Sequence, residues 1–343
     1  MALLEVENLA VRFRTRAGVV PAVNGVSFAV DAGETVGLVG ESGSGKSVTS
    51  LALMGLVPGR RTEVTAARLA LDGVELLSLS EAELRRRRGR DVAFVFQNPT
   101  SSLNPVVRIS KQITEALQAH QKLTRAAARR RAAELLADVG IPDPDRVLDS
   151  YPHRLSGGMC QRVMIAIALA LKPKLLIADE PTTALDVTIQ AQVLEVMRRL
   201  TRESGTALIL ITHDLGVVAA TAQHVNVMYA GRIVESGPVA DIFARPQHPY
   251  TVGLLRSIAR PDRDAAGTLA AIPGQPPDPT ALPPGCPFTP RCAWRLDRCS
   301  AEDPQLTAHE GRPDQRFACH NPVTPAEVEV GRPLRAAAAG AGA

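Results

Sequence analysis

A glycine-rich segment between an apolar run and a helical pattern constrains this sequence more than any other feature. Residues 35–39 form a short apolar run typical of a buried strand, and a helical pattern extends from Lys46 to about Leu56. The intervening segment, Gly40 to Ser47, matches G-x-x-x-x-G-K-[ST]. Glycines allow a tight turn that points backbone N–H groups inward, and the next helix adds positive potential at its N-terminus. The sequence therefore predicts a site for the phosphates of a nucleotide.

Each part of this loop has an expected ligand. Lys46 is expected to bridge the β- and γ-phosphates of ATP, and Ser47 to hold Mg²⁺. The other residues expected around the nucleotide are Gly40, Ser42, Gly43, Ser44, Gly45 and Val48. The alternative, a glycine-rich turn that binds nothing, is disfavoured because the loop lies between a strand and a helix.

A second apolar strand ends in two carboxylates. Residues 175–178 are apolar and lead into Asp179 and Glu180. Carboxylate oxygen is a ligand that Mg²⁺ prefers, so Asp179 is expected in the metal shell. Glu180 is expected to polarise the attacking water. An ordinary strand followed by an acidic helix cap is the alternative, and the phosphate-binding loop makes it the weaker one.

Strand and helix patterns alternate along most of the chain, which indicates an α/β fold with a largely parallel sheet. Further strands are predicted near 92–96, 175–178, 207–212 and 225–229, and helices near 111–138, 157–171, 187–203 and 214–222. Near the N-terminus, apolar and polar residues alternate over 3–12 and again over 23–30, which is typical of half-buried strands. Gly18 and Pro21 interrupt this pattern. The stretch from about 98 to 170 is mostly helical and is interpreted as an insertion.

Composition limits the class of protein. With 343 residues, 45% of them hydrophobic and 22% charged, two globular domains are expected. The arginine runs 85–88 and 129–131 lack interleaved aromatic residues, which favours solvated faces over a nucleic-acid site. The N-terminus does not resemble a secretory leader, and the longest apolar run, 163–171, is too short to span a membrane. A cytoplasmic location is therefore expected.

The segment from Leu155 to Arg162, Leu-Ser-Gly-Gly-Met-Cys-Gln-Arg, resembles the signature motif of ATP-binding cassette (ABC) ATPases. A helix starting at Ser156, Gly157 and Gly158 offers a hydroxyl and uncovered N–H groups to a phosphate. Other family elements follow the same order. Gln97 resembles the Q-loop glutamine, Asp186 in Ala184-Leu185-Asp186 the D-loop aspartate, and His213 the switch histidine. Phe13 matches the aromatic that stacks on adenine, although a core phenylalanine is nearly as good an interpretation.

This resemblance implies a P-loop NTPase of the ABC type, with an antiparallel β subdomain and a helical subdomain beside the core sheet. In this family the signature of one subunit covers the ATP held by another, so the chain is expected to pair with itself or a homologue. The resemblance assigns Glu180 as general base, His213 to the γ-phosphate, and Gln97 to Mg²⁺ and the water. Loss of the γ-phosphate would then loosen the pair.

Composition changes after about residue 260. Residues 273–290 contain eight prolines, and four of the five cysteines lie between 286 and 319, at Cys286, Cys292, Cys299 and Cys319. So few apolar residues make a weak core, and a metal would supply the missing stability. The spacings of 5, 6 and 19 residues lack the paired CxxC of zinc ribbons. An iron–sulfur cluster, zinc and unmetallated thiols all stay open.

The segments 245–251, 272–277 and 285–292 resemble the C-terminal part of the ATPases of oligopeptide/dipeptide importers. That resemblance implies a [4Fe–4S] cluster on the four cysteines, with zinc as runner-up. It also implies two transmembrane permease subunits, an extracytoplasmic solute-binding protein, and a peripheral position on the cytoplasmic face of the membrane. The alternatives are a soluble ABC ATPase acting on nucleic acid or ribosomes, and the ATPase of an exporter.

The same resemblance divides the chain into expected regions. They are an ATPase domain at 1–258 with its helical subdomain at about 98–170, a Pro/Cys-rich extension at 259–322, and a disordered tail at 323–343.

Overall fold

The computed structural model describes residues 2–16, 18–59, 61–182, 186–257 and 272–324. Two predictions fall wholly or mostly outside these ranges. They are the Ala184-Leu185 part of the D-loop and the tail, of which only residues 323 and 324 are described.

Strands and helices alternate through the described residues, as the sequence patterns predict. The strands are β1 (Leu4–Thr15), β2 (Gly18–Val30), β3 (Thr35–Val39), β4 (Thr62–Thr65), β5 (Arg68–Leu71), β6 (Val74–Glu75), β7 (Val92–Val95), β8 (Leu175–Asp179), β9 (Ala207–Thr212), β10 (His224–Tyr229), β11 (Arg232–Pro238), β12 (Thr307–His309) and β13 (Arg312–Phe317). The helices are α1 (Lys46–Leu53), α2 (Glu81–Arg87), α3 (Pro99–Ser102), α4 (Ile109–Gln118), α5 (Arg125–Asp138), α6 (Pro144–Leu148), α7 (Gly157–Leu169), α8 (Val187–Ser204), α9 (Leu215–Thr221), α10 (Val239–Ala244) and α11 (Pro249–Arg256). Short 3₁₀ turns occur at Pro152–Arg154, Thr289–Arg291 and Asp297–Ser300.

The described residues form two compact units. The first contains those within 1–4, 30–35 and 71–211, and the second contains those within 5–29, 36–70 and 212–343.

In the first unit, β7, β8 and β9 are neighbouring parallel strands, with β8 in the middle. All five residues of β8 are buried, as expected of a parallel strand covered on both faces. The helices α3 to α7 pack against one another. On α4, the buried residues Ile109, Ile113 and Leu117 are spaced four apart and form one apolar stripe, which packs against the neighbouring helices.

In the second unit, β3 pairs in parallel with β10, and β10 pairs antiparallel with β11. The hairpin of β12 and β13 continues this sheet, since β13 pairs with the outer side of β11. A separate antiparallel sheet contains β1 between β2 and β5, with β4 also paired to β1.

An aromatic cluster lies at the core of the second unit. Tyr229, Tyr250 and Phe288 are each no more than 1% exposed. Their ring centroids are 4.6 to 5.4 Å apart, the range of favourable aromatic pairs. Phe288 belongs to the cysteine-rich segment, so this segment contributes directly to the core that contains the end of β10.

Three sequence predictions differ from the structure. The predicted break at Pro21 is wrong because β2 begins at Gly18 and runs through Pro21, which is tolerated on this outer strand of its sheet. The predicted helix 111–138 is two helices, since Thr124 caps a new one by accepting a hydrogen bond from the N–H of Ala127. The short strands at 62–75 and 307–317 were not predicted.

Candidate functional site

The glycine-rich loop follows β3 and leads into α1, the strand–loop–helix order that its sequence predicts. Gly40 has a φ of +155°, and a Cβ there would lie 2.2 Å from the carbonyl oxygen of Met228. Gly45, with a φ of +103°, leaves no more room, since its Cβ would lie 2.5 Å from the carbonyl oxygen of Ala22. Glycine is therefore required at both positions for steric reasons that are independent of any ligand.

Lys46 lies inside the loop and is 5% exposed. Its ammonium donates hydrogen bonds to the carbonyl oxygens of Gly40 at 2.7 Å and Glu41 at 2.9 Å. Ser44 is buried beside it, whereas Ser42, Gly43 and Ser47 are exposed and Val48 is half-buried. The loop thus encloses the Lys46 ammonium and presents Ser42, Gly43 and Ser47 to solvent.

The sequence analysis missed two residues that hold this loop. The backbone N–H of Glu41 donates to the hydroxyl of Tyr250 at 2.8 Å. The Glu41 carboxylate forms a bidentate ion pair with Arg291, whose two terminal nitrogens lie 2.6 and 3.0 Å from the carboxylate oxygens. The signal available in the sequence was an arginine directly before Cys292, in a segment with few other charges.

Asp179 and Glu180 end the central strand of the first unit. Asp179 is 7% exposed, whereas Glu180 is half-buried. Glu180 has a φ of +45°, a left-handed conformation that is strained for a residue with a side chain, and its N–H donates to the carbonyl oxygen of Ile211 at 2.8 Å. The adjacent parallel strand, β7, ends two residues before Gln97.

The structure brings Gln97 and Glu180 together, because each residue follows one of the neighbouring parallel strands β7 and β8. The Nε2 of Gln97 donates to the Glu180 carboxylate at 2.8 Å, although 83 residues separate them. Gln97 is exposed. An amide is thus placed against a carboxylate that accessible water can reach.

The signature segment begins α7 as predicted. Ser156 is the N-cap, and its hydroxyl accepts the N–H of Met159 at 3.3 Å. Ser156 and Gly157 are exposed, while a Cβ on Gly158 would lie 2.9 Å from the Ile189 side chain of α8. Glycine at 158 therefore permits close packing of α7 and α8, apart from any role toward phosphate.

The remaining predicted residues are Asp186, His213 and Phe13. Asp186 is exposed and caps α8, accepting the N–H of Ile189 at 3.0 Å. His213 is exposed between β9 and α9. Phe13 is half-buried on β1, so the interpretation of a fully buried core phenylalanine is not supported. Whether these three side chains meet a nucleotide stays a prediction.

The four cysteines of the C-terminal segment line one small cavity of the second unit. The backbone N–H of Leu296 lies 3.4 Å from the sulfur of Cys299, and that of Asn321 lies 3.4 Å from the sulfur of Cys319. Burial raises the pKa of the Cys292 and Cys319 thiols to about 12, and it also raises the pKa of Cys286. Such thiols stay protonated at neutral pH unless a cation binds them.

The structure does not show a metal centre at these cysteines within the residues that it describes. Soft thiolate sulfur with N–H donors suits iron or zinc. Within the residues that the structure describes, however, no three His, Cys, Asp or Glu side chains are arranged as a metal-ligand set. The expected cluster therefore stays a prediction. Cys160, on α7, is not one of these four cysteines. It is buried, and burial raises the pKa of its thiol.

Comparison with known proteins decides the family. The model of the ABC transporter family matches residues 23–183, and that of the oligopeptide/dipeptide transporter C-terminal region matches 234–299. The oligopeptide transport ATP-binding protein AppD of Bacillus subtilis is 52% identical over 308 residues, covering 90% of this chain and 94% of its own. The dipeptide transport ATP-binding protein DppD of Escherichia coli is 50% identical over 336 residues, 97% and 99% of the two chains.

The chain belongs to the ABC transporter ATP-binding proteins. As an ABC ATPase it is an enzyme that hydrolyses ATP, and its fold is that of the P-loop NTPases. A dimeric ATP-binding cassette, MJ0796, in a post-hydrolysis state with ADP and Pi, superposes with a TM-score of 0.61 at 26% identity, covering 69% of this chain and 98% of that one. CbiO1 of Clostridium perfringens gives 0.59 at 27% identity, covering 71% and 91%.

Across the described ranges, no helix is both long enough and apolar enough to cross a bilayer. For the extension, the C-terminal family model reaches residue 299. The alignment with DppD of Escherichia coli, which covers 97% of this chain, also includes extension residues.

Proposed function

We propose that this chain is the ATPase subunit of an importer for oligopeptides or dipeptides. The relatives named above are oligopeptide and dipeptide transport proteins, and the match to the C-terminal region of such transporters supports the same substrate class here. That match also disfavours the ATPase of an exporter and a soluble ABC ATPase acting on nucleic acid.

The proposed chemistry is attack of water on the γ-phosphorus of ATP. Lys46 and the loop N–H groups would bind the phosphates, and Ser47 with Asp179 supplies the hard oxygen ligands that suit Mg²⁺. Glu180 would accept the proton of the attacking water. The observation that carries this assignment is the 2.8 Å hydrogen bond from Gln97 to the Glu180 carboxylate, because it orients a carboxylate that solvent can reach.

Further residues complete the proposed site. His213 would contact the γ-phosphate, and Phe13 the adenine ring. Two copies of the cassette, or this one and a homologue, would place Ser156, Gly157 and Gly158 of one subunit on the ATP of the other, with Asp186 beside them. The dimeric form of the MJ0796 cassette supports pairing.

The base assignment is tested with Glu180→Gln in the full-length chain. We expect ATP binding and nucleotide-dependent pairing to persist, while phosphate release falls by about a hundredfold or more, the range for loss of a general base. Glu195→Gln, which removes an exposed carboxylate of the same unit, is the control and should keep wild-type turnover. Unchanged turnover in Glu180→Gln would remove Glu180 as the base.

The proposed complex includes two permease subunits and, indirectly, an extracytoplasmic solute-binding protein, with this chain peripheral on the cytoplasmic face of the membrane. Purification of the tagged chain from gently solubilised membranes tests this. Recovery of two permeases with it supports the importer. Recovery of ribosomes or DNA without a permease would favour the soluble ABC ATPase instead.

We also propose that Cys286, Cys292, Cys299 and Cys319 hold a [4Fe–4S] cluster. The support is their shared cavity and the N–H groups directed at two of the sulfurs. Bound, the cluster would act as a covalent staple of the extension. Anaerobically purified protein should absorb broadly at about 400 nm, as thiolate–iron ligation does. Colourless protein with one zinc ion would establish the runner-up, and metal-free protein would refute both.

The domain limits follow from the same family assignment. We propose residues 1–258 as the ATPase domain, with its helical subdomain at about 98–170, and residues 259–322 as the extension.

A further inference from the structure

An arginine of the cysteine-rich extension is built into the support of the phosphate-binding loop. Arg291 precedes Cys292, and its side chain is only 4% exposed. Its two terminal nitrogens donate to the two carboxylate oxygens of Glu41, at 2.6 and 3.0 Å. Glu41 is the second residue of the loop, 250 residues away in the sequence. The extension and the loop, both in the second unit, are therefore joined by a bidentate ion pair in which Arg291 is buried and Glu41 is 27% exposed.

The five N–H groups of this guanidinium each have an acceptor, which is the full donor capacity of an arginine. Besides the two bonds to Glu41, Nε donates to the carbonyl oxygen of Pro273 at 2.9 Å. The terminal nitrogens also donate to the carbonyl oxygen of Ile272 at 3.2 Å and to the hydroxyl of Tyr229 at 3.4 Å. Lysine, with a compact ammonium and three donors, cannot reproduce this pattern.

Glu41 is also fixed through its backbone. Its N–H donates to the hydroxyl of Tyr250 at 2.8 Å, and its carbonyl oxygen accepts from Lys46 at 2.9 Å. The preceding residue, Gly40, has no space for even a methyl group. Since the side chain is fixed by Arg291 at the same time, the position of the Glu41 carboxylate and the path of the loop backbone are set together.

The negative charge of Glu41 affects the binding of an anionic ligand to this loop. A carboxylate within a loop that receives a triphosphate would repel it, and the repulsion is strongest where burial lowers the local dielectric. Arg291 supplies the compensating positive charge at hydrogen-bonding distance. Without it, Glu41 would either repel the phosphates or turn outward and take the loop backbone with it.

We propose that Arg291 is a positioning residue for ATP, acting through Glu41 to hold residues 40–44 in the conformation that receives the phosphates. This inference rests on the proposed function. It gives the C-terminal extension a direct part in nucleotide affinity, beyond stabilising the fold. It also predicts that the effect is on binding of the nucleotide and leaves the chemical step, at Glu180, largely untouched.

The test compares Arg291→Gln with the double variant Glu41→Gln, Arg291→Gln in the full-length chain. The probe is a fluorescent ATP analogue titrated at a temperature where thermal melting shows each protein folded. We expect Arg291→Gln to weaken binding by about tenfold, which is about 1.4 kcal/mol. Removing the carboxylate as well should restore affinity to within about threefold of wild type, because no unpaired charge then faces the phosphates.

A second ion pair of the extension provides the matched control. Arg232 on β11 pairs with Asp303, and the two side chains are 32% and 28% exposed. No residue of the phosphate-binding loop takes part in this pair. Asp303→Asn should therefore lower the melting temperature without changing ATP affinity, which measures what loss of an extension ion pair does by stability alone.

Steady-state kinetics separate positioning from general damage. Arg291→Gln and Arg291→Lys should raise KM for ATP several-fold with kcat within about twofold of wild type, since the chemistry is not addressed. Should Arg291→Gln not fold, Arg291→Lys and the double variant decide the question by the same comparison.

Two results would overturn the inference while leaving the proposed function intact. One is unchanged ATP affinity in folded Arg291→Gln or Arg291→Lys when the wild type binds ATP. The other is a double variant no better than Arg291→Gln. Failure of the wild-type chain to bind or hydrolyse ATP is a different outcome, because it refutes the proposed function itself.

Discussion

The phosphate-binding loop and the acidic end of β8 are held in opposite ways. In the loop, Gly40 and Gly45 have large positive φ angles at positions where no side chain fits, and the Lys46 side chain is buried. Glu180 instead adopts a left-handed conformation with a side chain present, and it meets an exposed glutamine, Gln97. The loop thus has glycine at the backbone conformations that require glycine, whereas the end of β8 has a glutamate in a strained backbone conformation.

This difference matches the tasks proposed for the two regions. A binding loop must present the same array of N–H groups to every ATP, so rigidity serves it. A carboxylate that handles a water molecule needs a particular direction, which the left-handed turn at Glu180 provides at about 1–3 kcal/mol of backbone strain. We therefore expect backbone strain at Glu180 and none in the phosphate-binding loop.

The largest expected effect is steric and lies in the loop. Gly40→Ala would bring a Cβ to 2.2 Å from the Met228 carbonyl oxygen, and we expect the free energy of unfolding to fall by about 4 kcal/mol. Gly43→Ala is the matched control, since its φ is +79° but no atom lies within 4 Å of the added Cβ. It should lose only about 1 kcal/mol. Equal losses in denaturant unfolding would show that the loop is not sterically fixed.

The support of the loop should be sensitive to acid. His248 is buried, its ring accepts the N–H of Tyr250 at 3.1 Å, and burial lowers its pKa to about 3. The unfolded chain, with an ordinary pKa of about 6.5, binds the proton first, so this contribution is complete above about pH 6.5 and is lost as the pH falls toward 3. At pH 5 the loss should be about 2 kcal/mol.

The variant His248→Asn isolates this group, because asparagine can still cap α11 but does not titrate. Its unfolding free energy should change less between pH 7.5 and pH 5 than that of the wild type. Burial raises the pKa of neighbouring Glu235, which acts in the opposite direction and is present in both proteins. Parallel pH profiles of the two proteins would show that His248 is not the acid-sensitive group.

At the acidic end, relief of strain should raise stability. Glu180→Gly and Glu180→Ala both remove the carboxylate, but only glycine accepts a φ of +45° freely. We expect the glycine variant to be more stable than the alanine variant by about 1 kcal/mol in denaturant unfolding. If alanine proves equal or better, Glu180 is not strained and the contrast with the loop disappears.

The smallest effect is expected at Gln97. Its hydrogen bond to Glu180 is exposed, so Gln97→Ala should change the free energy of unfolding by less than about 1 kcal/mol. The rate of ATP hydrolysis should nevertheless fall, because the carboxylate loses its orienting partner. A stability loss like that of Gly40→Ala would mean that Gln97 is part of the packed structure.

The sequence predicted the parts of the site that follow from local order. The loop after β3, the acids after β8 and the N-cap of α7 lie where strand and helix patterns place them. The hydrogen bond between Gln97 and Glu180 was not predicted, although both residues follow strands that the sequence patterns identify. The β12–β13 hairpin escaped prediction because it is short, polar and paired to a strand far away in the sequence. The ion pair of Arg291 with Glu41 has no periodic signal, since it depends on how the extension folds back.

The attachment of β13 to β11 has a consequence for shortened forms of the protein. Glu235 and Ser236 of β11 pair with Phe317 and Arg316, so the hairpin occupies what would otherwise be a bare row of backbone donors and acceptors. The outermost strand, β12, is only three residues long, a poor template for other chains. A version that stops after residue 257 would expose a longer edge, and self-association in concentrated solution is the behaviour to expect from it.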